Sequence, residues 1–335
     1  MSKKVSLVTP CYNGESYLHR YLECLLTQDY PNIELIFVND GSTDDTERIF
    51  LSFQHKLEEK GISYKYIKQK NLGPAGAVNT GIKHVSGEYL AWPDSDDILL
   101  SNFISSRVNA LEKHPNAGLV VCPIECVDEK DLKTVLSKKN VFSDWPLSEE
   151  RNIYMDILRL QNILVFPGSF MVKTSFFKES NPKQDFPHPR EIGQNFQMLL
   201  PISYKYKACY TNVVSFRYVI RANSHSHAKE TKEQSIAKHQ IGKKLLQDLT
   251  SIIPFESEAG KQETLRVIEW RYLRWLMEIG MEYGDFELYK HAFRQAKKMG
   301  ETDWHTELEY IRFKFPLINH IVKPISRIKR IVIGK

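Results

Sequence analysis

No run of about 18 consecutive apolar residues occurs anywhere in the chain, so no membrane-spanning helix is expected. Met1-Ser2-Lys3-Lys4 leads straight into a strand-like Val5 to Val8, so no signal peptide is expected, and a cytoplasmic location is the expectation. Cysteine is scarce. Cys11, Cys24, Cys122, Cys126 and Cys209 make an odd set of five with no CxxC pair. That argues against a disulfide framework and against a four-cysteine metal site, and reads as reduced, buried thiols. The Cys122-x3-Cys126 spacing has no second pair to complete it. There is no GxGxxG after the first strand, where Thr9-Pro10-Cys11-Tyr12-Asn13-Gly14 stands instead, so a dinucleotide-dependent dehydrogenase is disfavoured. The same position lacks the Gly-rich, Lys/Arg-bearing phosphate loop of a nucleotidyltransferase. No internal repeat or low-complexity linker is evident.

Charge is unevenly placed. The net charge is +5, but Arg312 to Lys335 carries seven Lys/Arg and no acid, so the remainder is near 5 − 7 = −2. Basicity confined to a tail argues against a nucleic-acid groove across the fold. The chain as a whole is 42% hydrophobic and 26% charged, the composition of a globular protein with a real core.

The first half alternates strand and helix signals. Val5 to Val8, Glu34 to Val38, Tyr64 to Ile67, Tyr89 to Trp92 and Gly118 to Cys122 read as buried strands. Between them lie helical patterns at Glu15 to Gln28, from Ser42 or Thr43 to about Lys60, Ala75 to His84, and Asn102 to His114. Leu18, Tyr21, Leu22, Leu25 and Leu26 share one face of the first helix. This order predicts an α/β fold with a mostly parallel sheet covered by helices. Residues 125 to 225 are mixed, with a strand expected at Val213 to Ile220, and from about 231 the pattern is helical.

Every polar or Gly-rich cluster of the first hundred residues falls at a C-terminal strand edge, where an open α/β sheet binds ligands. The densest is Asp94-Ser95-Asp96-Asp97. Three carboxylates in four residues repel one another, and a hard divalent cation with its preference for oxygen ligands would offset that. The plainer reading is a solvated turn or a helix cap, although Ser101 or Asn102 already serves the next helix.

Four successive motifs, Thr9 to Gly14, Asn39-Asp40-Gly41-Ser42, Asn71 to Gly81 and Asp94 to Asp97, resemble in order and spacing those of the family 2 (GT-A fold) glycosyltransferases, over residues 4 to about 100. The resemblance implies an inverting enzyme that moves a sugar from a UDP-sugar to a hydroxyl of a glycan or lipid-linked saccharide, in bacterial surface polysaccharide synthesis. It implies a nucleotide-sugar half (1–100) and an acceptor half (101–228), followed by a helical region (229–335). Thr9, Pro10 and Tyr12 would line the base, and Asp40 would accept the uracil N–H. Asn71 and Gly73 would let backbone approach the nucleotide. Asp94 would face ribose or metal, and Asp96 would bind Mg²⁺ or Mn²⁺.

The sequence departs from the family pattern twice. Ala77-Val78-Asn79 replaces Ala-Arg-Asn, so a cation is absent or is supplied elsewhere. Gly193-Gln194-Asn195 stands where Glu-Asp is expected, and an amide is no general base at neutral pH. Glu191 is then the nearest candidate base, ahead of Asp185; its plainer role is to pair with Arg190 or start the helix. That loss also motivates a rival, a non-catalytic nucleotide-sugar-binding or partner-binding module. Arg221 would meet phosphate oxygens, and His225, ahead of His227, would complete the metal site. Gly168-Ser169 is expected near the acceptor. In Ile318 to Val332 the apolar residues share one helical face interleaved with Lys323, Arg327, Lys329 and Arg330. That pattern suits a docked terminal helix or an interfacial helix on an anionic membrane surface.

Overall fold

A computed structural model describes residues 2–139, 145–160, 163, 165–221, 230–302 and 304–314. The strands are β1 (Val5–Cys11), β2 (Ile33–Asn39), β3 (Ser63–Lys68), β4 (Tyr89–Ala91), β5 (Ile98–Leu99), β6 (Leu119–Val121), β7 (Ile124–Asp128), β8 (Asp131–Lys139), β9 (Phe170–Lys173), β10 (Ala208–Tyr210) and β11 (Phe216–Ile220). The helices of the first half are α1 (Leu18–Leu26), α2 (Thr46–Ser52), α3 (Gln54–Glu59), α4 (Gly73–Ile82) and α5 (Phe103–Lys113). Then come α6 (Tyr154–Arg159), α7 (Thr174–Ser180), α8 (Asn195–Lys205), α9 (Lys232–Thr250), α10 (Glu258–Glu282), α11 (Phe286–Lys298) and α12 (Trp304–Lys314).

Seven strands form one sheet in the order β10-β6-β9-β4-β1-β2-β3. β3, β2, β1 and β4 run parallel, as do β6 and β10, while β9 is antiparallel to both its neighbours. The predicted mostly parallel α/β sheet is therefore correct. β1 and β2 are almost wholly buried, as expected of strands covered on both faces. Leu18, Tyr21, Leu22 and Leu25 of α1 pack on Leu7, Leu35 and Phe37, the face read from periodicity. β2 and β3 lie to one side of β1 and β4 to the other, which puts the topological switch between β1 and β4, where such sheets open a crevice.

Three details differ from the sequence expectation. β1 runs on through Thr9, Pro10 and Cys11, because β2 pairs with it as far as Cys11↔Asn39. The helix expected to run to Lys60 is split into α2 and α3 at Phe53, whose buried ring anchors the break. The unparsed middle contains a second sheet, β5-β11-β7-β8, in which β7 and β8 form a hairpin and β11 is parallel to β7. Gly168 allows this sheet to close on the first. A Cβ there would stand 2.0 Å from the Phe216 ring.

The chain divides into two compact units. One comprises Met1–Lys229 and Lys244–Gln262 and holds both sheets; the other comprises Glu230–Lys243 and Glu263–Lys335. The second has its own core of Leu273, Met277, Tyr289, Ala292, Phe293 and Ala296, with Phe293 and Tyr310 stacked 4.4 Å apart. No helix among the described residues is long and apolar enough to cross a membrane. The basic stretch from Ile318 to Val332 lies outside the described residues.

Candidate active site

The ends of β1, β2 and β4 converge. Asp40 follows β2, and its N–H donates to the Cys11 carbonyl at the end of β1 (2.8 Å). Leu7 pairs with Ala91, so the segment after β4 opens beside the segment after β1. There Asp94, Asp96 and Asp97 bring ligand oxygens within 4.8 Å of one another.

Each carboxylate has a different environment. Asp94 accepts from the Gln194 side-chain amide at 3.1 Å. Burial, and then the neighbouring Asp96 charge, push its pKa up to about 7. Asp96 pairs with Arg221, and its backbone carbonyl accepts from Arg20. Asp97 is fully buried. Its Oδ1 accepts from the Val219 N–H of β11 (3.0 Å), while Oδ2 has no hydrogen-bond partner. Burial and the two neighbouring carboxylates push its pKa well up. A buried carboxylate oxygen without a donor is expensive. The all-oxygen, acid-rich donor set and this orphan atom fit a Mg²⁺- or Mn²⁺-sized cation.

Two cations, Arg20 and Arg221, stand at the carboxylate cluster although Ala77-Val78-Asn79 carries none. Arg20 of α1 was not singled out from the sequence; it lies beside the buried Leu18–Tyr21 face, where a purely solvated arginine would not be needed. Burial lowers its pKa. Arg221, at the end of β11, lies 4.5 Å above the Tyr17 ring. His225 and His227 fall outside the described residues.

On the nucleotide side, Tyr12 is 42% exposed, a large apolar ring left open at the strand edge. Asp40 is buried, and both hydrogen bonds found for its side chain, from Gln69 (2.7 Å) and the Leu72 N–H (2.9 Å), fall on Oδ1. Pro10 lies inside β1. Thr9 is also inside it, fully buried, with its hydroxyl on Tyr21, so its side chain faces α1 rather than an open pocket. Asn71 accepts from the Gly73 N–H (3.2 Å) and packs on Gly41. Gly73 adopts φ +79°, and a Cβ there would stand 3.0 Å from the Arg190 carbonyl oxygen. The Arg190 backbone thus packs directly against Gly73.

That contact belongs to a stripe. Gly73, Gly76 and Asn79 recur every three residues along α4 and face one segment running the opposite way. Gly73 meets Arg190; a Cβ on Gly76 would lie 3.5 Å from His188; Asn79 donates to Asp185 (2.6 Å) and accepts from the Phe186 N–H (3.0 Å). The Asn79 bond holds the Asp185 carboxyl below its usual range, and Lys83 lies 3.5 Å from it. Asp185 is therefore committed to holding the loop. Glu191 is exposed on the same segment, and among the described residues its carboxylate has no ion-pair partner, Arg190 included. Gln194 and Asn195 begin α8 at the centre of the site: Gln194 binds Asp94, and Asn195 accepts from the Trp92 indole N–H (3.2 Å) and donates to the Val165 carbonyl (3.1 Å). Gly168 and Ser169 are buried behind them.

Comparison with known proteins agrees with this geometry. The family model described as glycosyl transferase family 2 matches residues 6–180. An uncharacterized glycosyltransferase of Rickettsia prowazekii (strain Madrid E) is 39% identical over 130 residues, 38% of this chain and 39% of the relative. The chain thus spans about two fifths of that curated relative's length. Among solved structures, S. aureus TarS 1-349 in complex with UDP-GlcNAc superposes with a TM-score of 0.60 at 16% identity, covering 89% of this chain and 92% of that one. The mannosyltransferase PcManGT from Pyrobaculum calidifontis, in complex with GDP-Man and Mn²⁺, gives 0.55 at 16% identity, covering 97% and 82%. At that identity the likeness is one of fold: the GT-A arrangement.

Proposed function

The chain belongs to glycosyl transferase family 2, and from that premise we propose that it is an inverting, metal-dependent enzyme transferring a sugar from a UDP-sugar to a hydroxyl of a glycan or lipid-linked acceptor. The observation that carries this reading is the Asp94, Asp96 and Asp97 cluster, with the buried Asp97 Oδ2 left without a donor at the switch of the sheet. TarS with UDP-GlcNAc and PcManGT with GDP-Man and Mn²⁺ support the ligand class.

Asp96, with Asp94 and Asp97 beside it, would hold Mg²⁺ or Mn²⁺, and His225 is proposed as a further ligand. A bound divalent cation supplies charge neutralisation to a departing diphosphate. Tyr12 stacks on the base. Asp40, with Oδ1 engaged, keeps Oδ2 for the uracil N–H. Arg20 and Arg221 bring positive charge to the phosphates. Glu191 takes the proton from the acceptor hydroxyl, whose oxygen attacks the anomeric carbon opposite the departing nucleotide. Cytoplasmic action at a membrane surface, and a role in surface polysaccharide synthesis, are part of the proposal.

The amides at Gln194 and Asn195 favour one alternative, a module that binds a nucleotide sugar without turning it over. Calorimetric titration with UDP and GDP, with and without Mn²⁺, tests the site. Metal-dependent UDP binding that disappears in Asp96→Ala supports it, and no nucleotide binding under any condition sinks both readings. Turnover of any UDP-sugar then excludes the binding module.

A further inference from the structure

Phe166 and Tyr218 form a half-buried aromatic pair, ring centroids 4.8 Å apart and planes at 57°. Tyr218 is one residue from a group that binds the carboxylate cluster, and Phe166 is one residue from a group bound to the start of α8, which itself reaches the cluster. Val165, before Phe166, accepts from Asn195, the neighbour of the Asp94-bound Gln194. Val219, after Tyr218, donates to Asp97. The pair therefore continues the site away from the nucleotide side, where Tyr12 and Asp40 stand.

A cation completes the platform. β8 pairs with β7 so that Lys139 lies opposite Ile124 and Lys138 opposite Glu125. Tyr218 lies opposite Cys126 on β7, two residues from Ile124. Strand alternation then puts Lys139 on the Phe166–Tyr218 face and Lys138 on the other, where Glu125 is already bound to Arg217 (2.9 Å). The Lys139 Nζ is 6.0 Å from the Phe166 ring centre, and among the described residues it has no carboxylate partner. A lysine cation beside an aromatic ring, with no carboxylate partner among the described residues, is a ready site for an anion.

We propose that Phe166, Tyr218 and Lys139 form an acceptor subsite that stacks a pyranose ring on the aromatic pair and pairs its anionic substituent, a carboxylate or a phosphate, with Lys139. The inference rests on the transferase reading, to which it adds a class of acceptor. Aromatic faces bind the C–H face of sugars through burial of apolar area, and the lysine selects among sugars by charge.

The test is an NMR titration of the full chain with three probes: a methyl glucuronide, a hexose 6-phosphate and a neutral methyl glucoside, each with saturating UDP and Mn²⁺. The wild type should bind at least one anionic probe about fivefold more tightly than the neutral one, the scale of a partly screened ion pair. Which probe gains identifies carboxylate or phosphate. Lys139→Gln should erase the preference, Phe166→Leu should weaken all three probes, and Lys138→Gln should change nothing. Equal binding of neutral and anionic probes, no binding of any probe, or a preference that survives Lys139→Gln overturns the proposal. UDP binding is read in the same samples. Its loss in the wild type would instead count against the transferase reading.

Discussion

Gln194 donates its amide to Asp94 Oδ1 at 3.1 Å, from the residue that begins α8 to the residue that follows the β4 strand edge. A glutamate there would set a fourth carboxylate against Asp94, Asp96 and Asp97. The neutral donor instead stabilises ionised Asp94, so position 194 supports the acid cluster and leaves proton abstraction to another group.

That places the burden on Glu191. Glu191→Gln should lower turnover by about 100-fold or more, the usual scale for a general base, with metal-dependent UDP binding unchanged. Single-turnover transfer alongside calorimetry checks it. Unchanged turnover removes Glu191 from the mechanism.

The cluster also sets a pH dependence. In the unfolded chain Asp94 loses its proton near 3.8, and in the fold near 7. Between those values the folded protein holds a proton the unfolded chain has released, so stability falls as pH rises through that window. Asp97, shifted in the same direction, adds to the fall. Without metal, the melting temperature should show this loss between about pH 4 and pH 7 on top of the background from other groups. Asp96→Asn, with one charge fewer, should flatten it. Mn²⁺ should raise the wild-type melting temperature at pH 7 and much less at pH 5, since its ligands must be ionised. Thermal scans across pH, with and without Mn²⁺, decide the matter.

Asn79 holds the Asp185–Phe186 segment through two hydrogen bonds. Asn79→Ala leaves the buried Phe186 N–H unpaired and should cost about 1–3 kcal/mol. It should also lower turnover while leaving UDP affinity within about twofold of wild type, because the loop it releases carries Glu191. A loss of UDP affinity equal to the loss of turnover would contradict this.

Much of the fold was legible because its signals are local. Val5 to Val8 is apolar but for Ser6, Leu35 to Val38 is a continuous apolar run, and Leu18, Tyr21, Leu22 and Leu25 keep helical spacing, so the parallel layers follow from pattern alone. The carboxylate cluster was equally plain, since all three acids sit within four residues. Arg20 was not, because its partner, the Asp96 carbonyl, is 76 residues away and backbone carbonyls carry no sequence signature. The second sheet escaped for the same reason. β11 pairs with both β5 and β7 across about a hundred residues, and its strands are as short as Ile98–Leu99. Thr9, which the resemblance assigns to the base, lies inside β1 with its hydroxyl on Tyr21, because the pairing with β2 runs three residues past Val8.

The stripe of Gly73, Gly76 and Asn79 has a consequence for anyone recombining such enzymes. Residues 185–191 are fastened to α4 at three successive turns, although about a hundred positions separate them in sequence. A chimera cut near residue 100 would therefore graft a new loop onto a helix whose notches fit the old one. A side chain at 73 would press on the Arg190 backbone, and one larger than a methyl at 76 would press on His188. The unit to move in such a swap is the loop together with α4, a discontinuous cassette.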